Sequence, residues 1–247
     1  MRILALTNLY PNPYQPNRAT FNRQQLRALG AEHHVEVIAP IAWTNEWSAR
    51  RGGGRGPKGE SPLAQDRRRV FDGMTIHHPR YAFTPKILRG AYGHFFVRSV
   101  RECFRQAVRD FRPDVVLGCW AYPDGWAAVQ LAREAGLPVA IKVQGSDLLT
   151  IDDQPARKRR TSEALAGADA VIAVSRHLAA KAVAMGAAPD RVHVVYNGVD
   201  ASVFCPAPRE VAREHLELTS PDPLILFVGN LVPVSYTHLT LPTTERV

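Results

Sequence analysis

The chain has 247 residues, of which 45% are hydrophobic and 22% charged, and its formal charge is +8. Such a composition excludes a disordered chain, and no apolar run approaches the roughly 18 residues of a membrane span. The positive balance favours an anionic partner: a nucleotide phosphate, an acidic membrane face or a nucleic acid.

Arg2–Thr7 predicts a first strand. Its apolar run is too short for a signal peptide, so a cytoplasmic protein is expected. A loop from Asn8 to Ala19 follows, stiffened by Pro11, Pro13 and Pro16. Thr20 predicts the cap of a helix over Phe21–Leu29, stopped by Gly30. Val35–Ala39 is the second strand. This first connection contains no GxGxxG, so the pyrophosphate turn of a dinucleotide-binding domain is missing. Arg18, Thr20 and Gln24 stand where a helix N-terminus can face an anion. A plain cap with solvated side chains is the alternative.

Residues 44–69 change in composition. They carry Arg50, Arg51, Gly52–Gly54, Arg55, Gly56, Lys58 and Arg67–Arg69, and predict a flexible basic surface loop. Gly54 to Gly59 has Walker A spacing, but Glu60 stands where lysine is required. The loop core lacks the interleaved aromatics of a single-strand nucleic-acid binder, and contact with anionic lipid fits it better.

Val70–Tyr81 predicts extended structure about an Asp72-Gly73 turn. His77 and His78 then point to opposite faces and cannot share a metal. From about Lys86 to Phe111 the pattern is helical, with Leu88, Tyr92, Phe96, Val100, Phe104, Ala107 and Phe111 on one stripe and Arg98, Arg101, Arg105, Arg109 and Arg112 on another face. Core packing explains the stripe; an anionic membrane is a second use for the arginines. Asp114–Cys119 is a strand, Trp120–Gly125 a turn, and a helix runs to Ala135. Pro138–Val143 is the next strand, ending in Gln144-Gly145-Ser146-Asp147. A helix reaches about Ala166.

Ala170–Val174 suits a buried strand, with Ser175 as N-cap of a helix whose apolar side holds Leu178, Val183 and Met185. Gly186 suits the cap at its end, Val192–Val195 a strand, and Asn197-Gly198 a turn. Strands and helices alternate with short connections. They predict an α/β fold, a Rossmann-like parallel sheet with helices on both faces. Turns at strand carboxyl ends converge on one crevice, which singles out Tyr122, Asp124, Gln144, Gly145 and Asp147. Each aspartate has a plainer role as a helix cap. Cys103, Cys119 and Cys205 form no CxxC pair and predict reduced structural thiols.

The stretch Val171–Pro206, VIAVSRHLAAKAVAMGAAPDRVHVVYNGVDASVFCP, resembles glycosyltransferase family 4, whose members have the two-domain GT-B fold. Tyr10-Pro11, Arg18–Phe21 with Gln24, Lys142–Asp147 and Leu224–Val234 extend the similarity, which is to bacterial polysaccharide and teichuronic-acid-type members. The resemblance implies the N-terminal half of a GT-B fold: residues 1–200 as acceptor-side domain, 201–223 as linker and 224–234 as the first strand of a truncated donor domain. It implies transfer of a sugar, with retention, from a nucleotide-diphosphate donor to a glycan or lipid-linked acceptor. No cofactor and no metal are implied. Arg18 and Thr20 would lie near the donor diphosphate, Gln144, Gly145 and Asp147 near the transferred sugar, and Tyr122, Asp124, Ser175, Asn197 and Gly198 would complete the site. Ala19 departs from a glycine common in the family, and Gln144 from a histidine.

Residues 235–247, SYTHLTLPTTERV, resemble translated adapter or vector sequence and are expected not to be native. Without the donor domain's cations the chain itself is expected to be inactive. Peripheral attachment to the inner face of the plasma membrane is a further expectation. A non-catalytic α/β nucleotide- or sugar-binding module is the competing reading. Nucleic acid is not expected as a partner, since no helix-turn-helix, zinc or aromatic RNA-binding signature is present.

Overall fold

The computed structural model describes residues 1–50, 67–83, 91–152, 154–218 and 222–224. They fall into two units, Met1–Tyr196 and Asn197–Val247.

The first unit is built on β1 (Arg2–Leu6), a run of alternating core residues. Leu4 and Leu6 enter one hydrophobic cluster, and Ile3 and Ala5 enter another. A strand buried on both faces must sit centrally with helices above and below it. Its sheet has eight strands among the described residues. The neighbours of β1 are β2 (His34–Ile38) and β7 (Val115–Gly118), both parallel to it. Beyond β7 lie β8 (Val139–Val143), β9 (Ala170–Ala173) and β10 (Val192–Val194), again parallel. Beyond β2 lies β5 (Met74–His77), parallel, and then β4 (Arg68–Phe71), antiparallel. The β4–β5 hairpin turns at Asp72 and Gly73, whose φ values of 53° and 74° match the predicted tight turn. A small separate sheet pairs β3 (Ile41–Ala42) with β6 (Arg80–Tyr81).

One face of the sheet carries α3 (Tyr92–Phe111), α4 (Trp126–Ala135), α6 (Pro155–Gly167) and α7 (Arg176–Ala184). Their buried side chains join Leu4, Val116, Ile141 and Val171 in one cluster. The α3 stripe is used up in this core: Phe96, Val100, Phe104, Ala107 and Phe111 are buried. Each large side chain there contributes about 2 kcal/mol by leaving water. The opposite face carries α1 (Thr20–Glu32), whose Leu26 meets Ile3, Ala5, Val37 and Ile76. Two shorter helices, α2 (Trp43–Arg50) and α5 (Ser146–Leu149), complete the unit. The fold is α/β and Rossmann-like, with helices on both faces.

Several local expectations need correction. Thr20 does not cap α1; it is the first helical residue, and Ala19, at φ 45° and ψ 52°, turns the chain into it. The helix passes through Gly30, because one glycine costs only about 1 kcal/mol relative to alanine and packing outweighs it. The predicted loop over 44–69 is ordered at both ends, by α2 and by β4. Its buried Glu46 accepts from Arg67 and Arg80, at 2.7 Å each, and a carboxylate with two guanidinium partners fixes the backbone around it. Residues 51–66 lie outside the described residues, as do 84–90, so the predicted start of α3 near Lys86 is not among them. Val183 is exposed, not core, because the helix is short and only Leu178 and Ala182 reach the sheet.

In the second unit Asp200 organises a turn, accepting from the N–H and hydroxyl of Ser202 at 3.0 and 2.6 Å. Helix α8 (Arg209–His215) falls within the stretch expected to be linker. No turn forms at Asn197-Gly198. An Asn-Gly pair closes a hairpin only when a returning strand follows, and none follows it among the described residues. The expected strand over 224–234 and the tail over 235–247 lie outside the described residues, apart from Leu224.

Candidate functional site

From β1 the chain winds outward to β2 and β5, then returns to β7 on the other side of β1. The carboxyl ends of β1 and β7 therefore flank the point where winding reverses, where open α/β sheets form a crevice. Three connections meet there: residues 7–19 after β1, 119–125 after β7 and 144–147 after β8.

The first connection is knit by its own polar groups. Asn12 Oδ1 accepts from the N–H of Tyr14 and Gln15 at 3.0 and 3.1 Å. Asn22, buried on α1, donates to the Leu9 carbonyl at 2.8 Å. Arg18 is half-buried; its Nε donates to the Asn8 carbonyl at 2.9 Å and its Nη1 to Gln15 Oε1 at 3.1 Å. Arg18 is thus held beside the start of α1, where the N–H groups of Thr20 and Phe21 precede the first intrahelical bond and no side chain among the described residues caps them. Burial lowers the Arg18 pKa, and the nearby charge of Asp124 raises it. Thr20 stands exposed at this helix start.

Asp124 follows β7 in the tight turn Ala121–Gly125 and is fully buried. It caps no helix. Its Oδ2 accepts from the Thr7 hydroxyl at 3.2 Å and the Asn8 N–H at 3.0 Å. Its Oδ1 has no hydrogen-bond partner among the described residues. Burial pushes its pKa from 3.8 up to about 7, against the pull of those bonds and of Arg18, with Asp147 adding to the rise.

Asp147 is buried and is not the N-cap residue of α5, a position held by Gly145. It accepts from the N–H of Ala121 at 3.2 Å, of Gln144 at 3.1 Å and of Gly145 at 2.8 Å. It therefore ties the turn after β7 to the turn after β8. Burial raises its pKa, while its backbone donors lower it. Gly145 has φ 141° and ψ −92°, which an L side chain rarely adopts, although a Cβ there would meet nothing within 4 Å. The glycine is required by backbone conformation, not by space.

Gln144 donates to Asn22 Oδ1 at 2.9 Å and to the Cys119 carbonyl at 2.7 Å, so both amide hydrogens serve the scaffold and Oε1 is the atom left to meet a ligand. Lys142 donates to Gln25 on α1. Tyr122 is buried, and its hydroxyl accepts the Gly93 N–H at 2.7 Å, anchoring the start of α3.

The structure thus brings Arg18, Asp124, Gln144, Gly145 and Asp147 into one hydrogen-bonded edge. Tyr122 supports it from beneath. Ser175 caps α7, accepting the Leu178 N–H at 3.2 Å. Asn197 and Gly198 belong to the second unit. Sequence reading overlooked Thr7, Asn8 and Asn22. Asn22 was detectable: it lies four residues before Leu26, on the face of α1 that turns inward. Thr7 and Asn8 carried no such signal, since their role depends on a partner more than 100 positions away.

No group of three His, Cys, Asp or Glu able to hold a metal exists among the described residues. His77 pairs with Glu36 at 2.9 Å and His78 with the Ala39 carbonyl at 2.9 Å, so the two do not converge. Cys119 is a poor nucleophile, because burial pushes its thiol up to about 12. The arrangement suits anion and hydroxyl recognition at a strand edge.

The Glycosyltransferase Family 4 model matches residues 19–203. A Bacillus subtilis protein named for teichuronic acid biosynthesis, the glycosyltransferase TuaC, is 26% identical over 239 residues, covering 94% of this chain and 59% of that protein. D-inositol 3-phosphate glycosyltransferase 1 of Catenulispora acidiphila is 38% identical over 116 residues, 43% of this chain and 28% of that one. Among solved structures, sucrose-phosphate synthase of Thermosynechococcus elongatus superposes with a TM-score of 0.63 at 14% identity, covering 90% of this chain and 53% of that chain. HepE of Anabaena, in complex with UDP and glucose, gives 0.54 at 13% identity over 88% of this chain and 50% of that one. At such identity these structures speak for the fold alone. The chain spans between about a quarter and three fifths of the length of these relatives.

Proposed function

Since the chain belongs to glycosyltransferase family 4, we propose that it is the acceptor-side portion of a retaining glycosyltransferase. The whole protein moves a sugar from a nucleotide-diphosphate donor to a glycan or lipid-linked acceptor. The observation that carries the reading is the uncapped start of α1 with Arg18 fixed beside it. A leaving diphosphate gathers negative charge, and a guanidinium with free helix N–H groups stabilises that charge. Gln144 Oε1 and the Gly145 turn lie at the same edge, suited to hydroxyls of the transferred sugar. The donor class is the one that HepE, which shares the fold, holds in its complex with UDP and glucose. Arg18 is one cation against a diphosphate, so by this reading the 247 residues alone turn over slowly or not at all.

The partner surface for a lipid-linked acceptor is the outer side of α3. It displays Arg98, Arg105 and Arg109, and no large hydrophobic side chain of α3 is exposed. Attachment to the inner face of a plasma membrane would then be electrostatic, without insertion. Sedimentation with vesicles containing anionic lipid should fall sharply between 50 and 300 mM salt; salt-insensitive binding would contradict it.

Binding of a panel of UDP- and GDP-sugars to the chain tests the donor reading. Affinity is measured by calorimetry for the chain and for Arg18→Gln. Binding that weakens at least tenfold in the variant supports the reading. Equal affinity in both would overturn the role of Arg18.

A further inference from the structure

Asp124 is a carboxyl group that the fold leaves half satisfied at this edge. It is fully buried, one oxygen takes two hydrogen bonds and the other takes none among the described residues. It is also linked to Arg18 through a single residue, Asn8. The Asn8 N–H donates to Asp124, and the Asn8 carbonyl accepts from Arg18 Nε. The two charged groups therefore hold the successive peptide groups on either side of the Asn8 Cα and feel each other without forming an ion pair.

We propose that Asp124 is a proton-coupled positioning residue for the anion subsite at the start of α1: its carboxylate competes with the incoming anion for Arg18, and the carboxyl takes up a proton as the anion binds. This rests on the anion-subsite reading given above. An anion on Arg18 offsets the positive charge that favours ionised Asp124, so the proton and the anion bind together. The groups facing Asp124 are Arg18 from the first connection, Asp147 from the turn after β8, Tyr81 from β6 and Cys119 from the end of β7. Burial pushes Tyr81 far above its ordinary value and Cys119 up to about 12, so neither changes charge near neutrality. Burial also raises Asp147, but its two oxygens are occupied by three backbone donors, which hold it against change.

Sulfate is the probe, because its own charge is constant between pH 6 and 8. Its affinity for the full chain is measured by amide-shift titration at Thr20 and Phe21, at constant ionic strength. The expected result is about a tenfold weakening from pH 6 to pH 8 in the natural chain, and less than about a twofold change in Asp124→Asn. Arg18→Gln should abolish the shifts at both pH values. An equal slope in Asp124→Asn overturns the proton coupling while leaving the subsite intact. Absent shifts in the natural chain, or shifts untouched by Arg18→Gln, overturn the subsite and the coupling together. A second measurement needs no variant: the carboxyl carbon signal of Asp124 should titrate near neutrality and move to higher pH when sulfate is added. A carboxyl that stays ionised from pH 5 upward contradicts the proposal.

Discussion

The turns after β7 and β8 each bury one aspartate at the same sheet edge, and they satisfy it differently. Asp147 spends both oxygens on three backbone N–H groups and locks two connections together. Asp124 uses one oxygen, and the other has no partner among the described residues. A buried carboxylate with enough donors is a structural joint; one with too few is a group whose charge is negotiable. The first fixes the shape of the crevice, and the second responds to what enters it.

The largest effect should come from breaking the joint. Asp147→Ala strands three backbone N–H groups, and urea unfolding should show a loss of roughly 3–5 kcal/mol. A loss under 1 kcal/mol would mean the two turns hold without it. Next comes the pH dependence of stability. Asp124 binds more protons folded than unfolded between its ordinary 3.8 and about 7. Stability therefore falls as pH rises through that window and is flat above it. Asp124→Asn removes this slope, so its stability relative to the natural chain should improve by roughly 2–4 kcal/mol between pH 4 and pH 8. An equal difference at both pH values would make the two aspartates alike after all. Gly145→Ala should cost about 1–3 kcal/mol through backbone strain, read as a lower Tm, since the space for a Cβ is open. The smallest effect is the control: Ser175→Ala removes a helix cap and should cost about 1 kcal/mol while leaving sulfate binding at Thr20 unchanged.

How much of this was legible in the sequence follows the range of the interaction. Ser175 announced itself because capping is settled within three residues, and the Asp72-Gly73 turn because its two positive φ values are local demands. The alternation of apolar runs gave the α/β class. The family stretch around Val171–Pro206 identified the fold more firmly than any single spacing. The edge residues Asp124 and Asp147 were picked out by their place after strands as site candidates, and neither takes the plainer alternative of a helix N-cap. Their true partners, Asn8 and Ala121, come from neighbouring strands, and strand order cannot be read from spacing. Tyr122 is similar: a tyrosine in a turn looks exposed, and only packing shows it buried with its hydroxyl accepting the Gly93 N–H. The ordered base of the 44–69 stretch was hidden because Glu46 and its arginines are far apart in sequence.

The central claim is that the start of α1, with Arg18, is where a donor diphosphate sits. The most direct test compares UDP with uridine by amide-shift titration of the labelled chain. The account predicts that UDP moves Arg18, Thr20, Phe21 and the 144–147 amides at concentrations where uridine does not, and that Arg18→Gln erases this preference. Equal shifts from uridine and UDP, or a preference that survives in Arg18→Gln, would contradict it.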